Sequence, residues 1–246
     1  MARRKLGFLR RFIVVVVKPV MTVWTRRTWS GMEHIPPDGG VIIVANHISH
    51  ADPLVCAHFI YDAGRWPQFL AKASVFKVPL LGWLLRKVKQ VPVERNSVEA
   101  AKSLDALAAA LKEGGTVIIY PEGTTTREPN RWPMRGKTGA ARLALATGAP
   151  VIPVAMWGAQ RIFDPRTKKL SLRPRIPVTV QAGPPIDMKR WADAPLSRET
   201  LNEITDEMML RLRDMLAEIR GETPPPLWEW PANRQAAGPS GSGVSA

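Results

Sequence analysis

Residues 41–52 read Val-Ile-Ile-Val-Ala-Asn-His-Ile-Ser-His-Ala-Asp, and no other stretch of the chain says as much about its fold. The first five residues are apolar and mostly β-branched, which is typical of a strand that is buried on both faces. His47 and Asp52 follow the strand, five positions apart. At this spacing the imidazole can act as a general base while the carboxylate orients it. No serine or cysteine stands where it would be an obvious nucleophile, so a substrate is expected to supply the attacking atom.

Predicted strands and helices alternate along the rest of the chain. Asp52 is expected to be the N-cap of a helix over residues 53–61, with a proline in its first turn. Pro92 places the short strand that contains it at an edge of the sheet or in an irregular strand. The alternation predicts an α/β fold, with a largely parallel or mixed sheet covered by helices and its site beyond the carboxyl ends of the strands. The further predicted strands are 68–71, 91–93, 116–120, 151–156 and 177–182, and the further predicted helices are 97–111, 139–146 and 197–220.

The first 30 residues are basic and apolar, and they contain no acidic residue. Lys18 and Pro19 interrupt the apolar run, which is shorter than the roughly 20 residues that a spanning helix needs. Residues 1–30 are therefore predicted to be an amphipathic helical segment that docks on an anionic membrane surface. Two alternatives remain open from the sequence, a secretory signal peptide and an ordinary core helix with a basic exposed face.

Composition constrains the setting and the partners. The 246-residue chain has a net charge of +14, which favours anionic partners such as nucleic acid, an anionic bilayer or a phosphorylated substrate. Cys56 is the only cysteine, so no intrachain disulfide is possible, and a peripheral location on the cytoplasmic face of the cell membrane is expected. Residues 221–246 are rich in proline, glycine and serine and are predicted to be a disordered tail. Within the tail, Trp228 and Trp230 could touch a membrane or fold back on the domain.

A second polar motif, Tyr120 to Arg127, follows the predicted strand 116–120. Its glycine and hydroxyl residues could bind an oxyanion or a phosphate, although such a sequence is more often only a turn. The two strand-end motifs, in this order and about 70 residues apart, resemble those of the glycerophospholipid acyltransferase family. The residues that match the family blocks are Asn46, His47 and Asp52, then Lys72 and Phe76–Trp83, then Val91–Arg95, then Tyr120–Thr124, and last Val151–Val154.

The resemblance implies an acyltransferase domain over residues 31–220 and a mechanism without a serine nucleophile. His47, oriented by Asp52, would deprotonate a hydroxyl of 1-acylglycerol 3-phosphate as it attacks the thioester of acyl-CoA or acyl carrier protein, giving phosphatidic acid. Glycerol 3-phosphate or another lysolipid or glycolipid is the alternative acceptor, and neither a metal nor another cofactor is expected. The residues that the resemblance assigns to the acceptor phosphate are Lys72, Arg95, Glu122, Gly123 and Thr124, and those near the acyl donor are Ile152 and Pro153.

One position departs from the family pattern. Family members usually have arginine directly after Glu-Gly-Thr, whereas this chain has Thr125 and Thr126 and reaches Arg127 two places later. Either Arg127 fills the same phosphate site or the acceptor headgroup differs. Another basic cluster, Arg131, Arg135, Lys137 and Arg142, follows the same motif and could bind anions or simply be solvated.

Three other interpretations start from the same residues. His47, His50 and Asp52 could ligate a metal in a hydrolase, because all three are competent ligands at short spacing. The high charge could serve nucleic acid binding, but zinc-finger spacing and the aromatic motif of RNA-binding sheets are absent. A membrane tether with an inactive site is the third, and turnover of acyl-CoA would distinguish it from an enzyme.

Overall fold

A computed structural model describes residues 7–93 and 97–229 of the chain. Its centre is a seven-stranded sheet in the order β1-β9-β6-β2-β5-β3-β4, and β7 and β8 form a separate two-stranded hairpin. The strands are β1 (Thr25–Ser30), β2 (Val41–Ala45), β3 (Pro67–Lys72), β4 (Val91–Val93), β5 (Thr116–Ile119), β6 (Val151–Trp157), β7 (Phe163–Asp164), β8 (Lys169–Leu170) and β9 (Ile176–Ala182).

The large sheet is parallel except at one pair. Strand β9 runs antiparallel to β6, and every other neighbouring pair is parallel. Strand β4, which contains Pro92, is an edge strand, as its proline predicts. Strand β2 lies between β6 and β5, and all five of its residues are buried, in agreement with its unbroken apolar run. The prediction of a largely parallel or mixed sheet is therefore confirmed.

Helices cover both faces of this sheet. One face packs against α2, through residues such as Phe59, and against Met21 near the end of α1. The other face packs against α4, α5 and α6. The helices are α1 (Phe8–Trp24), α2 (Asp52–Asp62), α3 (Pro79–Lys87), α4 (Ser97–Lys112), α5 (Gly139–Thr147) and α6 (Arg198–Arg220).

Two local predictions near the amino terminus are wrong. The helix α1 ends at Trp24, and residues 25–30, which were predicted to be part of the helical segment, pair as β1 with β9. Their exposure alternates from residue to residue, as expected for an edge strand, but the charged residues obscure that pattern in the sequence. Asp52 is the first residue of α2 rather than its N-cap, which is Ala51. The carboxylate of Asp52 is instead bonded to the loop before the helix.

The described part of the carboxyl-terminal segment returns to the domain. Helix α6 ends at Arg220, and Gly221 follows in the left-handed conformation that helix ends favour. Trp228 then pairs with Met134 as an isolated bridge, and its carbonyl accepts a hydrogen bond from the backbone of Arg135 at 2.9 Å. The predicted disordered tail thus does not begin at 221, and Trp228 folds back on the domain. Trp230 lies outside the described residues.

Candidate active site

Asn46 fixes the point at which the chain leaves β2. Its Nδ2 donates to the carbonyl of Met156 at 3.0 Å, and its Oδ1 accepts from the backbone N–H of the same residue at 2.7 Å. Asn46 is fully buried, and its side chain bonds to the backbone of β6 just beyond the last backbone pair of β2 and β6. The following residue, His47, therefore starts from a rigid position at the carboxyl edge of the sheet.

His47 and Asp52 form the predicted pair. The Nδ1 of His47 lies 2.8 Å from the Oδ2 of Asp52, and the backbone N–H groups of Ile48 and Ser49 donate to the same oxygen at 2.6 and 2.7 Å. Because this oxygen accepts from its neighbours, the hydrogen of a neutral imidazole belongs on Nδ1. The Nε2 atom is then left with its lone pair for a substrate, and the His47 side chain is 15% exposed.

Asp52 is fully buried, and this determines its electrostatics. Burial raises the pKa of the Asp52 carboxyl above its ordinary value, while the bonds from His47, Ser49 and Ile48 act in the opposite direction. Its second oxygen, Oδ1, has no hydrogen-bond partner among the described residues. A buried carboxylate that contacts an imidazole stabilises the imidazolium that forms when the base takes a proton. The pair is thus suited to general-base chemistry.

The loop after β5 holds the backbone of His47 from both sides. Glu122 accepts the N–H of His47 at its Oε1 at 2.8 Å, and the N–H of Thr126 donates to the carbonyl of His47 at 2.6 Å. The other oxygen of Glu122 accepts from the backbone of Met134 at 3.2 Å. Burial raises the pKa of Glu122 to about 8, against the opposing effect of these bonds. Glu122 is turned inward and both of its oxygens accept backbone N–H groups, and its predicted role in binding phosphate stays a prediction.

Tyr120 contacts the imidazole directly, although the sequence prediction gave it no role. Its ring stacks on that of His47 with centroids 4.4 Å apart and planes inclined by 24°. The strand register could have indicated this contact, because β5 pairs with β2 and the two strands end side by side. Tyr120 directly follows Ile119, the last residue of β5, and so lies next to the end of β2 where His47 begins the loop.

The remaining residues predicted to bind phosphate differ in how they are placed. Gly123 is exposed and has a φ of +70°, a conformation that favours glycine. Thr124 beside it is half-buried, and Arg127 is exposed with its backbone N–H directed to the sulfur of Met134 at 3.2 Å. Lys72 lies in β3, but its side chain lies outside the described part of the structure. Arg95 lies outside the described residues altogether.

Lys137 brings a cation to the same loop. Its Nζ and Cε atoms lie 3.2 Å from the position that a Cβ atom on Gly123 would take, and its backbone N–H donates to the carbonyl of Pro121 at 2.8 Å. The sequence marked Lys137 only as one member of a basic cluster. The contact with Gly123 distinguishes it from Arg131 and Arg135, which form ion pairs with Asp164 and Asp206.

Ile152 and Pro153, which were predicted to lie near the acyl donor, are core residues of β6. They pair with Ile43 and Val44, and Ile152 has no exposed surface. Pro153 lines a cavity of about 310 Å³ between residues 181–187 and α6. Both residues lie in the first half of β6, and Asn46 bonds to Met156, further along the same strand. That Ile152 and Pro153 lie near the acyl donor or its chain stays a prediction.

The alternative metal site does not assemble around His50. The rings of His47 and His50 are 6.4 Å apart and nearly perpendicular, and His50 packs towards Phe163. In residues 7–93 and 97–229, no three histidine, cysteine, aspartate or glutamate side chains come together in a group that could hold an ion. The Nδ1 of His47 is already occupied by Asp52.

Comparisons with known proteins agree with this geometry. The family model described as Acyltransferase matches residues 26–157, more than half of the chain. A Borreliella burgdorferi protein named 1-acyl-sn-glycerol-3-phosphate acyltransferase is 28% identical over 183 residues, covering 74% of this chain and 69% of the relative. A Bacillus subtilis protein of the same name is 27% identical over 189 residues, covering 74% of this chain and 84% of the relative.

A solved structure provides a third comparison. The crystal structure of the 1-acyl-sn-glycerophosphate (LPA) acyltransferase PlsC from Thermotoga maritima superposes with a TM-score of 0.62 at 25% identity, covering 88% of this chain and 81% of the other. By contrast, the chain spans only 38% of the length of a chloroplastic relative from Brassica napus, to which it is 29% identical over 137 residues. On the family match, the relatives and the shared fold, the chain belongs to the acyltransferase family, among the glycerophospholipid acyltransferases.

Proposed function

We propose that this acyltransferase moves a fatty acyl group from a thioester, acyl-CoA or acyl carrier protein, to the free hydroxyl of 1-acylglycerol 3-phosphate at a membrane surface. The observation that carries the proposal is the His47–Asp52 pair, in which the Nδ1–Oδ2 distance is 2.8 Å and the imidazole remains partly exposed. The names of the Borreliella and Bacillus relatives support the choice of acceptor.

In the proposed reaction, the Nε2 of His47 takes the proton of the acceptor hydroxyl as its oxygen attacks the thioester carbonyl. A carbon–oxygen bond forms and the carbon–sulfur bond breaks, so that the acyl group becomes an ester. The departing thiolate takes the proton from the imidazolium, which restores neutral His47. Asp52 stabilises the imidazolium in between, because its buried carboxylate lies against the Nδ1–H group.

We expect direct transfer without an acyl-enzyme intermediate, because neither the thiol of Cys56 nor the hydroxyl of Ser49 is available as a nucleophile. Cys56 is fully buried, and burial raises the pKa of its thiol far above the ordinary value, so it is not a thiolate nucleophile. Ser49 is also buried, and its hydroxyl donates to the carbonyl of Phe163 at 2.6 Å rather than to His47. The base therefore acts on a hydroxyl that the acceptor brings.

The acceptor phosphate is proposed to bind over the exposed turn at Gly123. Lys137 lies against this turn, and the structure records no ion pair for its ammonium within the described residues. Gly123 has no side chain that would block the close approach of a ligand to its backbone. Lys137 thus supplies a cation in the region where family members carry arginine after Glu-Gly-Thr, and Arg127 and Thr124 are further candidates for phosphate contact.

A membrane-facing role for α1 rests on its outward surface. No helix in the described residues is long and apolar enough to cross a membrane. Even so, this helix carries a stripe of exposed apolar side chains flanked by Arg11 and Lys18, and it has no acid in its first turn. Such a surface fits the interface of an anionic bilayer, from which a lysophospholipid could enter the site. The stripe consists of Phe8, Phe12, Val15, Val16, Val20 and Val23.

The decisive experiment is thiol release from palmitoyl-CoA across a panel of acceptors. We expect turnover with 1-acylglycerol 3-phosphate, and little with the same lipid lacking phosphate. Glycerol 3-phosphate and a lysophospholipid with a larger headgroup complete the panel, and acyl carrier protein replaces CoA in a parallel series. His47→Ala is the control for enzymatic turnover, since it removes the base.

Each outcome decides between stated alternatives. Preference for glycerol 3-phosphate or for a larger lysolipid would reassign the acceptor while leaving acyl transfer intact. Absence of thiol release with every acceptor and both donors, from protein that is folded and bound to vesicles, would refute the enzyme and favour the tether.

A further inference from the structure

Tyr120 is the only described side chain recorded as stacking on the imidazole of His47, and no part of the proposed mechanism uses it. The centroids are 4.4 Å apart and the planes nearly parallel, at 24°. A stacked aromatic ring restricts rotation of the imidazole about its last side-chain bond, and the negative face of the ring favours a cation above it. The ring is therefore placed both to hold the base and to stabilise its protonated form.

The hydroxyl of Tyr120 makes a second, independent connection. Its oxygen is buried and has no hydrogen-bond partner among the described residues, and the same is true of the Oδ1 of Asp52. Burial raises the pKa of the Tyr120 hydroxyl well above its ordinary value, and the neighbouring side chains of Cys56 and Asp52 add to this. The Tyr120 hydroxyl therefore keeps its proton and remains a hydrogen-bond donor. The Oδ1 of Asp52 is an acceptor to which no described group donates.

The position of Cys56 shows that these groups share one buried pocket. Cys56 follows Asp52 by four residues on α2, so the two side chains lie on the same face of that helix. Tyr120 packs against the core cluster that contains Cys56. A buried donor and a buried acceptor without partners are each costly, and the cost is removed when one water bonds to both.

We propose that Tyr120 is a positioning residue for the catalytic pair, with its ring holding the His47 imidazole and its hydroxyl donating to Asp52 Oδ1 through one bridging water. Both oxygens of Asp52 would then be satisfied, with Oδ2 facing His47 and Oδ1 facing Tyr120. The proposal rests on the proposed function for its kinetic consequences but not for the geometry it describes.

Two substitutions distinguish the contribution of the Tyr120 ring from that of its hydroxyl. Tyr120→Phe keeps the stacked ring and removes the donor, whereas Tyr120→Leu removes both. Tyr61→Phe is the matched control, because Tyr61 is the only other tyrosine and lies at the far end of α2. Circular dichroism and thermal melting show whether each variant folds, and Tyr120→Phe decides the hydroxyl's role even where Tyr120→Leu does not fold.

The expected kinetic result is a change in kcat with little change in KM for either substrate. Loss of one hydrogen bond predicts a fall of about two- to tenfold in Tyr120→Phe. Loss of the ring as well predicts a fall of about 10–100-fold in Tyr120→Leu.

In Tyr120→Phe the carboxylate of Asp52 loses a donor and becomes more basic, so the low-pH limb of the kcat/KM profile moves to higher pH. The titratable groups around the pair are Asp52 and Cys56 on α2, His50 in the loop before it and Glu122 after β5.

A spectroscopic readout needs no turnover. The Nδ1–H proton of a histidine bonded to a carboxylate resonates far downfield, and it is assigned to His47 by its loss in His47→Gln. We expect this resonance to shift in Tyr120→Phe, to broaden or vanish in Tyr120→Leu, and to stay unchanged in Tyr61→Phe. Wild-type resonance, kcat and pH profile in both Tyr120 variants would overturn the inference. Absent turnover in the wild type would instead refute the proposed function, and the resonance would still decide the role of Tyr120.

Discussion

The Oε1 of Glu122 lies 2.8 Å from the backbone nitrogen of His47 and accepts its hydrogen, so a side chain after β5 fixes the residue that carries the base after β2. Its Oε2 accepts from Met134 in the same way at 3.2 Å. Both oxygens of the Glu122 carboxyl carry lone pairs even when the group is protonated, whereas glutamine has one acceptor oxygen and an NH2 group that cannot accept. Glu122→Gln therefore leaves one of the two N–H groups without an acceptor. We expect kcat to fall about tenfold or more, because an unsatisfied buried group costs about 1–3 kcal/mol and disturbs the position of His47.

Glu122 also predicts how stability depends on pH. Burial raises its pKa to about 8 in the folded protein, whereas the unfolded chain has an ordinary glutamate with a pKa of about 4.3. Between these values the folded state retains a proton that the unfolded state has lost, so the free energy of unfolding decreases as pH rises from about 4.5 to about 8. The decrease is on the order of a few kcal/mol. Urea unfolding at pH 5, 6.5 and 8 should show this slope in the wild type and a flatter one in Glu122→Gln, and equal slopes would contradict the assignment.

Asp52→Asn tests the orienting carboxylate. The amide keeps the shape but has no negative charge, so it cannot stabilise an imidazolium at the Nδ1 of His47. We expect kcat for thiol release to fall about 10²–10⁴-fold, with the KM values little changed. His50→Gln is the control, because it removes a histidine three residues from His47 whose ring packs towards Phe163. Its kcat should stay within about twofold of wild type, and an equal loss in both variants would point instead to a joint metal or structural role.

Lys137→Gln tests the cation over the Gly123 turn. A charge-assisted bond to phosphate contributes about 1.5–3 kcal/mol, so the KM for a phosphorylated acceptor should rise about tenfold or more while kcat changes little. Any residual transfer to an unphosphorylated acceptor should be unaffected. Lys169→Gln, at an exposed position in the β7–β8 hairpin, removes the same charge elsewhere. Arg127→Gln belongs in the same series: a larger rise in KM for this variant would show that Arg127, and not Lys137, binds the phosphate.

The outward face of α1 predicts a surface that binds lipid. Val15 and Val23 are 70% and 67% exposed, so replacing both by glutamate should leave the melting temperature nearly unchanged. Binding to vesicles that contain anionic lipid should weaken at least about tenfold, since two apolar contacts are lost and two negative charges are added. Leu172→Glu is the control, because Leu172 is 77% exposed but lies outside α1. Equal loss of binding in the control would indicate a general effect of charge, not a docking helix.

The parts of the fold that follow from hydrophobic pattern are the parts the sequence predicted well. Strand β2 is five apolar residues buried on both faces, and the polar residues after it could only lie at the carboxyl edge of a parallel sheet. Strand β1 was missed because its alternation is short and its polar residues include Arg26 and Arg27. An edge strand of this kind is stabilised by its pairing with β9, which is distant in sequence.

Within the site, the prediction identified the residues but not the direction of every side chain. His47 and Asp52 could be paired from their spacing, because a strand end and a helix start restrict the loop between them. The inward orientation of Glu122 depends on the turn at Gly123 and on a bond to Met134, neither of which follows from motif spacing. The contact between Lys137 and Gly123 likewise joins residues from opposite ends of a long loop.

Arg65 predicts that stability can be changed without touching the site. Its side chain is 1% exposed, and it donates to the hydroxyl of Thr116 at 2.7 Å and to the carbonyls of Pro36 and Gly39 at 2.7 and 2.6 Å. Further bonds reach the carbonyls of Gly114 and Gly115, so one guanidinium joins the segments that precede β2 and β5. These acceptors lie at the amino-terminal edge of the sheet, opposite His47.

Arg65→Lys keeps the charge but offers one ammonium in place of a planar fork, so several partly buried carbonyls lose their donor. Because a hydrogen bond from a charged donor contributes about 1.5–3 kcal/mol and more than one is lost, we expect a loss of about 3 kcal/mol or more and a fall in melting temperature of roughly 6–12 °C. Arg211→Lys, at an arginine that is 61% exposed, should change the melting temperature little. Well below its melting temperature, the Arg65 variant should keep near-normal kcat, because the His47–Asp52 pair and its supports lie at the other edge of the sheet. A large loss of kcat in fully folded Arg65→Lys would show that the amino-terminal edge is coupled to the site.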